Sequence, residues 1–211
     1  MNTIIDISRP LHNGMPVWPG DEPFAASWSG RIADGDTCNV GRMTLSLHCG
    51  THIDAPFHID DDGRRISQSD VESPDTLEPF VGSAQVISVV GVPTVTVDHL
   101  QSRVEPGVRR LILRTDSFPI GSFNRSYTWL GTGAAALLAE LGVVLVGIDT
   151  PSVDAFDSEH LETHRILAGA GIFIVEGLDL TRAPDGIYEL VVLPLRLAGM
   201  DASPTRAILR R

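Results

Sequence analysis

Cysteine is scarce in this chain: Cys38 and Cys49 are the two present in 211 residues. That is too few for the disulfide framework that holds small secreted modules together, so both are expected to be reduced thiols. Long apolar runs are missing as well. No stretch approaches the roughly eighteen uninterrupted apolar residues that a membrane-crossing helix needs. The opening MNTIIDISRPLHNG lacks the basic-then-apolar order of a secretion signal, which makes the cytoplasm the expected compartment. Basic charge is short too, with 16 Lys and Arg against 27 Asp and Glu and a net charge of −11. Nucleic-acid binding depends on clustered Lys and Arg that release phosphate counterions, so DNA and RNA are poor partners here. Internal repeats, low-complexity tracts and linker-like breaks are absent, and the length suits one domain spanning 1–211.

The hydrophobic share of 43% against 20% charged is too apolar for a disordered chain, so a packed core is expected. TIIDI (3–7) and MTLSL (43–47) read as strands, and the Pro- and Gly-rich interval HNGMPVWPGDEP between them reads as loop. Trp18 stands in that loop beside Pro19, as a lid on the core or as the wall of a ligand pocket. GSAQVISVV (82–90) and RRLILRTD (109–116) are strand-like, and TVTVDHLQSRV (94–104) passes from strand alternation into a short helix near Asp98. GTGAAALLAELG (131–142) predicts a helix closed by glycine, followed by a buried strand that runs out into a loop, VVLVGIDTPSVD (143–154). SEHLETHRILAGAG (158–171) predicts a second helix with Ser158 as its N-cap. IFIVEGLDL and YELVVLPLRL complete the pattern as strands. Alternation of strand and helix in the second half predicts an α/β fold with a mixed sheet covered by a few helices.

One segment stands apart. HCGTHIDAPFH (48–58) crowds three histidines and an aspartate into eleven positions. A helix does not assemble them: His48 and His52 would share a face, but Asp54 would lie roughly opposite His52, and Gly50 and Pro56 oppose helix. An extended chain does, because positions 48, 52, 54 and 58 have one parity and project from one side. Imidazoles and a carboxylate on one face repel when charged and go unsatisfied when dry, unless a cation fills the gap. Neutral imidazole and carboxylate oxygen suit zinc, manganese or ferrous iron. His48, His52 and Asp54 already make a three-ligand site with an open position for water, leaving His58 as a base. Cys49 has the other parity, beside leucine, and reads as core rather than nucleophile. A glutamate inside the apolar strand IFIVEGL, Glu176, also wants a cation, since an unpaired buried carboxylate costs several kcal/mol.

The pattern His-x-Gly-Thr-His-x-Asp-x-Pro-x-His resembles the signature of the metal-dependent cyclase-like hydrolase family. MPVWPGD, GIDTPSVD and PLRLAGMDASPTRAILR are similar to that family too, so the resemblance covers nearly the whole chain. It implies a swivelling β/β/α-type mixed sheet core flanked by a few helices. It also implies a binuclear centre, in which Asp54 and a later glutamate bridge two divalent ions and a later histidine completes the second site. THRILAGAGIFIVEGL matches the implied spacing with His164 and Glu176, which leaves His160 as an exposed residue near the helix start. Asp149 and Asp154 flank the GIDTPSVD loop as outer partners or loop caps.

The activity implied is hydrolysis of N-formyl-L-kynurenine to L-kynurenine and formate by metal-activated water, a step of tryptophan catabolism. His58 would move the proton and Trp18 would wall the substrate's ring. Zinc is the implied metal, with Mn2+ or Co2+ accepting the same donors, and a homodimer is the implied assembly. Three rivals stand beside this reading: a cyclic-amide hydrolase acting on isatin, a non-catalytic metal-binding protein, and a hydrolase using Cys49.

Overall fold

The computed structural model of the chain describes residues 3–67 and 77–211. Among them the strands are β1 (Ile4–Asp6), β2 (Ala25–Gly30), β3 (Val40–Thr44), β4 (His52–Asp54), β5 (Val81–Ser88), β6 (Thr94–Val95), β7 (Arg110–Arg114), β8 (Trp129–Leu130), β9 (Leu145–Ile148), β10 (Phe173–Glu176), β11 (Gly186–Val191), β12 (Ala202–Pro204) and β13 (Ile208–Arg210). The helices are α1 (Val97–Leu100), α2 (Thr132–Glu140) and α3 (Glu162–Gly169).

Nine of these strands form one mixed sheet in the order β1-β13-β11-β5-β7-β9-β10-β4-β12. The middle four, β5, β7, β9 and β10, run parallel. LVGI and FIVE are buried throughout, as parallel strands covered on both faces should be. Leu111, Leu113, Val146, Ile148 and Ile174 face a layer built on Ala134, Ala135 and Leu138 of α2 and Leu167 of α3. The alternate residues Ile112, Leu145, Phe173 and Val175 face a second cluster with Ile53, Phe80, Tyr188 and Leu209. The sheet curls around that second cluster: Ser8, just past β1, bridges Leu178, just past β10, although the two strands are far apart in sheet order. The α/β expectation is met.

Strand register decides which polar side chains meet. β4 pairs antiparallel with β10 so that His52 lies opposite Glu176, and with β12 so that Asp54 lies opposite Ala202. Because Ile53 points into the inner cluster, strand alternation turns His52, Asp54 and Glu176 to the helix-covered face.

Three local expectations need correction. The crowded segment is extended only over His52–Asp54; His48 lies in a turn, Gly50 takes φ +69°, and Pro56–His58 is a 3-10 turn. Shared parity therefore does not bring all four polar groups together; two turns and a short strand do. The helix expected from 158 begins at Glu162, because Leu161 sits in the left-handed region at φ 48°, ψ 52° and cannot continue a helix backwards. Ser158 instead accepts from the Leu161 N–H and donates to Glu162. Finally, the strand expected at 43–47 is Val40–Thr44, and it pairs with β2, whose AASWSG sequence carries little β-propensity. This two-stranded ribbon is exposed over nearly all its length, with Trp28, Val40 and Met43 open to solvent.

Candidate metal centre

The site is built on the close approach of two glycines. Gly177, at φ +64°, ends β10 beside Gly50; a Cβ there would collide with the Gly50 carbonyl oxygen. Thr51 Oγ1 donates to the Gly177 carbonyl at 2.6 Å and itself accepts from the Arg9 N–H at 2.8 Å. The turn before β4 is thus held against the end of β10. The Gly50 carbonyl in turn lies 3.1 Å from His52 Nδ1, which takes the proton to that side and leaves Nε2 with its lone pair facing Glu176.

Asp54 stands at the centre. Its Oδ1 lies 2.9 Å from His48 Nδ1 and 3.4 Å from His52 Nε2, while its Oδ2 lies 3.6 Å from His164 Nε2. Glu176 is split in the same way, with Oε2 at 3.5 Å from His52 Nε2 and Oε1 at 3.3 Å from His164 Nε2. Both carboxylates offer one oxygen to each of two histidine sets. Asp54 and Glu176 are 2% and 3% exposed, so neither borrows water to satisfy itself.

Whether these residues fit a metal can be tested on atoms. His52 Nε2 and both oxygens of Asp54 are buried without a hydrogen-bond partner, and the approach of His48 Nδ1 lacks the alignment of a hydrogen bond. Three orphaned polar atoms at one point would cost several kcal/mol in a dry interior. Donors around one zinc at about 2.0–2.2 Å lie roughly 3–4 Å from each other, which is the spacing seen. Two donor groups among the described residues, His48, Asp54, His58 and His52, Asp54, Glu176, each gather their atoms within 4.8 Å, and Asp54 is common to both. The set fits divalent ions with nitrogen and oxygen ligands.

The electrostatics agree. Burial disfavours charge on His48, yet Asp54 and Asp201 outweigh it and its pKa is pushed up to about 10. Burial also opposes charge on His164, but Asp154, Asp54 and Glu176 hold it well above the usual imidazole range. Burial opposes ionisation of Asp54 as well; His52, His48 and His164 nevertheless keep it well below the carboxylate range. Protons on imidazoles sit where a cation would. His58 differs: burial pulls its pKa down, which keeps it neutral and able to accept a proton.

The centre opens on a cavity of about 500 Å³ lined by His48, His52, His58, His164 and Glu176 on one side and by Trp18, Phe123 and Phe156 on another. Trp18 packs 5.0 Å from Phe156 and 5.7 Å from Phe123, centroid to centroid. Neither phenylalanine carries a local sequence signal, because their loops meet Trp18 only in the fold.

Of the residues singled out in the sequence, His48, His52, Asp54, His58, His164 and Glu176 converge, and Trp18 lines the same cavity. His160 is exposed. Cys49 is buried against Met15 and Phe24, outside the centre, and both cysteines are free thiols. Asp149 caps a turn, accepting from the N–H groups of Thr115 and Asp116, while Asp154 contacts His164 directly. Asp201, which no local sequence signal marked, meets His48 from 153 residues away along the chain.

Residues 5–155 match the family described as Putative cyclase. A kynurenine formamidase of Bacillus cereus is 42% identical over 207 residues, covering 98% of this chain and 96% of that one. A solved structure described as a potential metal-dependent hydrolase with cyclase activity superposes with a TM-score of 0.83 at 28% identity, covering 100% of this chain and 98% of the other. Isatin hydrolase A from Ralstonia solanacearum, at 23% identity and a TM-score of 0.79 over 99% of this chain and 92% of its own, shares the fold.

Proposed function

The chain belongs to the cyclase family, and on that premise we propose that it hydrolyses N-formyl-L-kynurenine to L-kynurenine and formate, the reaction its kynurenine formamidase relatives are named for. It is a metal-dependent amidohydrolase acting on a linear amide. The observation that carries the reading is the division of Asp54 and Glu176, each turning one oxygen to either side beside a cavity that ends in an aromatic wall.

We assign the donors in two sets: His48, His52 and Asp54 would hold one ion, and His164 with Asp54 and Glu176 would hold a second. Zinc is the expected occupant, and manganese or cobalt would accept the same donors. When bound, such ions lower the pKa of a coordinated water towards 7 and polarise the formyl oxygen. His58, held neutral by burial, takes the proton released as water attacks the formyl carbon. It then returns that proton to the aniline nitrogen as the C–N bond breaks. Trp18, with Phe123 and Phe156, receives the substrate ring and fixes the formyl group over the centre.

We take residues 1–211 as one hydrolase domain acting in the cytoplasm as a homodimer. The exposed β2–β3 ribbon, with apolar Trp28, Val40 and Met43, supports contact with a second copy. No described helix is long and apolar enough to cross a membrane.

The test is a side-by-side assay of N-formyl-L-kynurenine and isatin on chelated protein and on protein reloaded with zinc. Turnover of the formyl anilide that vanishes on chelation and returns with zinc is expected. Preferential opening of isatin would replace the substrate reading, and no hydrolysis of either substrate by loaded protein would leave a metal-binding protein.

A further inference from the structure

Asp201 lies just before β12, the strand next to β4, and carries none of the roles assigned above. Its Oδ2 is 2.9 Å from His48 Nε2 and 3.3 Å from His58 Nδ1. The two imidazoles lie 4.2 Å apart between ring centres and so reach one carboxylate from the same side. An ionised carboxylate oxygen only accepts, so both nitrogens that face it carry protons. In a neutral imidazole the other nitrogen must then bear the lone pair.

For His48 that other atom is Nδ1, 2.9 Å from Asp54 Oδ1, where a metal ligand needs it. For His58 it is Nε2, the atom left to accept a proton. The placement of Asp201 is rigid. Its carbonyl accepts from the Ala55 N–H at 2.9 Å, the neighbouring Met200 carbonyl accepts from the Ile66 N–H at 3.0 Å, and the next residue, Ala202, is in register with Asp54.

We propose that Asp201 is a positioning residue that sets two tautomers with one oxygen, presenting His48 Nδ1 to the metal and His58 Nε2 to the reacting water. This rests on the assignment of His48 as a ligand and His58 as the base. It extends to two rings the logic by which a carboxylate behind a catalytic or metal-bound imidazole fixes its orientation and raises its basicity. Asp201 itself touches neither substrate nor ion.

The experiment has two arms. Long-range proton–nitrogen spectra of nitrogen-15-labelled, zinc-loaded protein read the tautomers without substrate, and His58 should be the Nδ1–H form and His48 the Nε2–H form. In Asp201→Asn, whose amide offers one acceptor and two donors, His58 should become a tautomer mixture, with kcat for N-formyl-L-kynurenine falling about 10- to 100-fold and KM little changed. Asp201→Glu, keeping the carboxylate, should recover part of kcat. An Nε2–H His58 in the parent protein overturns the proposal, as does an Asn variant with unchanged tautomers and kcat. A loss shared by kcat, KM and melting temperature would mean that Asp201 only holds β12 in place, and would also overturn it. Should the substrate reading fail, the spectra still decide, because they need no turnover.

Discussion

Asp154 Oδ2 lies 2.6 Å from His164 Nδ1, and the two carboxylate oxygens of Asp154 also accept from the backbone N–H groups of Thr163 and His164. One buried side chain therefore caps the first turn of α3 and pins the imidazole that turn carries. With Nδ1 committed to Asp154, Nε2 is the atom facing Asp54 and Glu176. The expected consequence of Asp154→Ala is double. Loss of the cap should cost about 0.5–2 kcal/mol of stability, and zinc affinity should fall about 10- to 100-fold. Thermal unfolding and competition against a chromophoric chelator measure the two separately; unchanged affinity would reduce Asp154 to a cap.

His164 and His160 allow a paired comparison on the same segment. His164 is 4% exposed and meets both buried carboxylates, whereas His160 is open to solvent. On the two-ion assignment proposed above, His164→Ala should lower bound zinc by about one ion per chain, because it would remove a ligand of one position and leave the other. His160→Ala should bind as the parent does. Metal analysis after gel filtration decides, and the reverse result would make His160 the ligand.

What was legible beforehand divides along a physical line. Residue types crowded within a few positions announce themselves, so His48, His52, Asp54 and His58 could be picked out, and a charge inside an apolar strand exposed Glu176. The backbone joining them is less legible, because shared parity implies one continuous strand whereas Gly50 and Pro56 allow turns on both sides of His52–Asp54. Helix α3 starts at Glu162 because Leu161 takes a left-handed backbone, and the first-turn N–H groups of Thr163 and His164 go to Asp154 while Ser158 accepts only from Leu161. Asp201, Phe123 and Phe156 were invisible for a simpler reason: each acts across loops or strands that only the folded sheet brings together.

His58→Ala tests the division between binding and proton transfer. If His58 is the base, removing it should leave zinc content near that of the parent and lower kcat about 10²- to 10⁴-fold. Because His58 also falls within one donor group with His48 and Asp54, metal analysis must accompany the kinetics. Lost zinc in this variant would make it a ligand instead, and retained turnover would remove it from the reaction.

Gly177→Ala probes the scaffold rather than the chemistry. The residue holds φ +64°, and a methyl group would meet the Gly50 carbonyl. Either the turn before β4 or the end of β10 must then move, and His52 and Glu176 stand next to those two points. Left-handed backbone at a non-glycine residue costs about 1–3 kcal/mol before any collision is counted. The variant should melt several degrees lower and bind zinc more weakly. A parent-like melting temperature would show that the two segments are not held as tightly as their contacts imply.

The chelated protein should show a pH optimum of stability that metal shifts. His48 has its folded pKa raised to about 10 by Asp54 and Asp201 against the opposing effect of burial. Its contribution is therefore complete below its unfolded value of about 6.5 and lost as the pH climbs through about 10. Asp54, Glu176 and Asp154 are depressed, so their contributions hold above the unfolded carboxylate range near 4 and fade as the pH drops. His58, lowered by burial, adds to the loss on the acid side, since protonating it in the folded state is harder than in the unfolded chain. Melting temperature without metal should then decline on both sides of a maximum near about pH 6. With zinc bound, the ion takes the place of the proton on the ligand face of His48, and the alkaline decline between about pH 6.5 and 10 should flatten. His164, raised well above the imidazole range by Asp154, Asp54 and Glu176 against the opposing effect of burial, adds to the same alkaline decline. Calorimetric scans across that range, with and without zinc, give the comparison, and parallel curves would mean that neither His48 nor His164 is among the ligands.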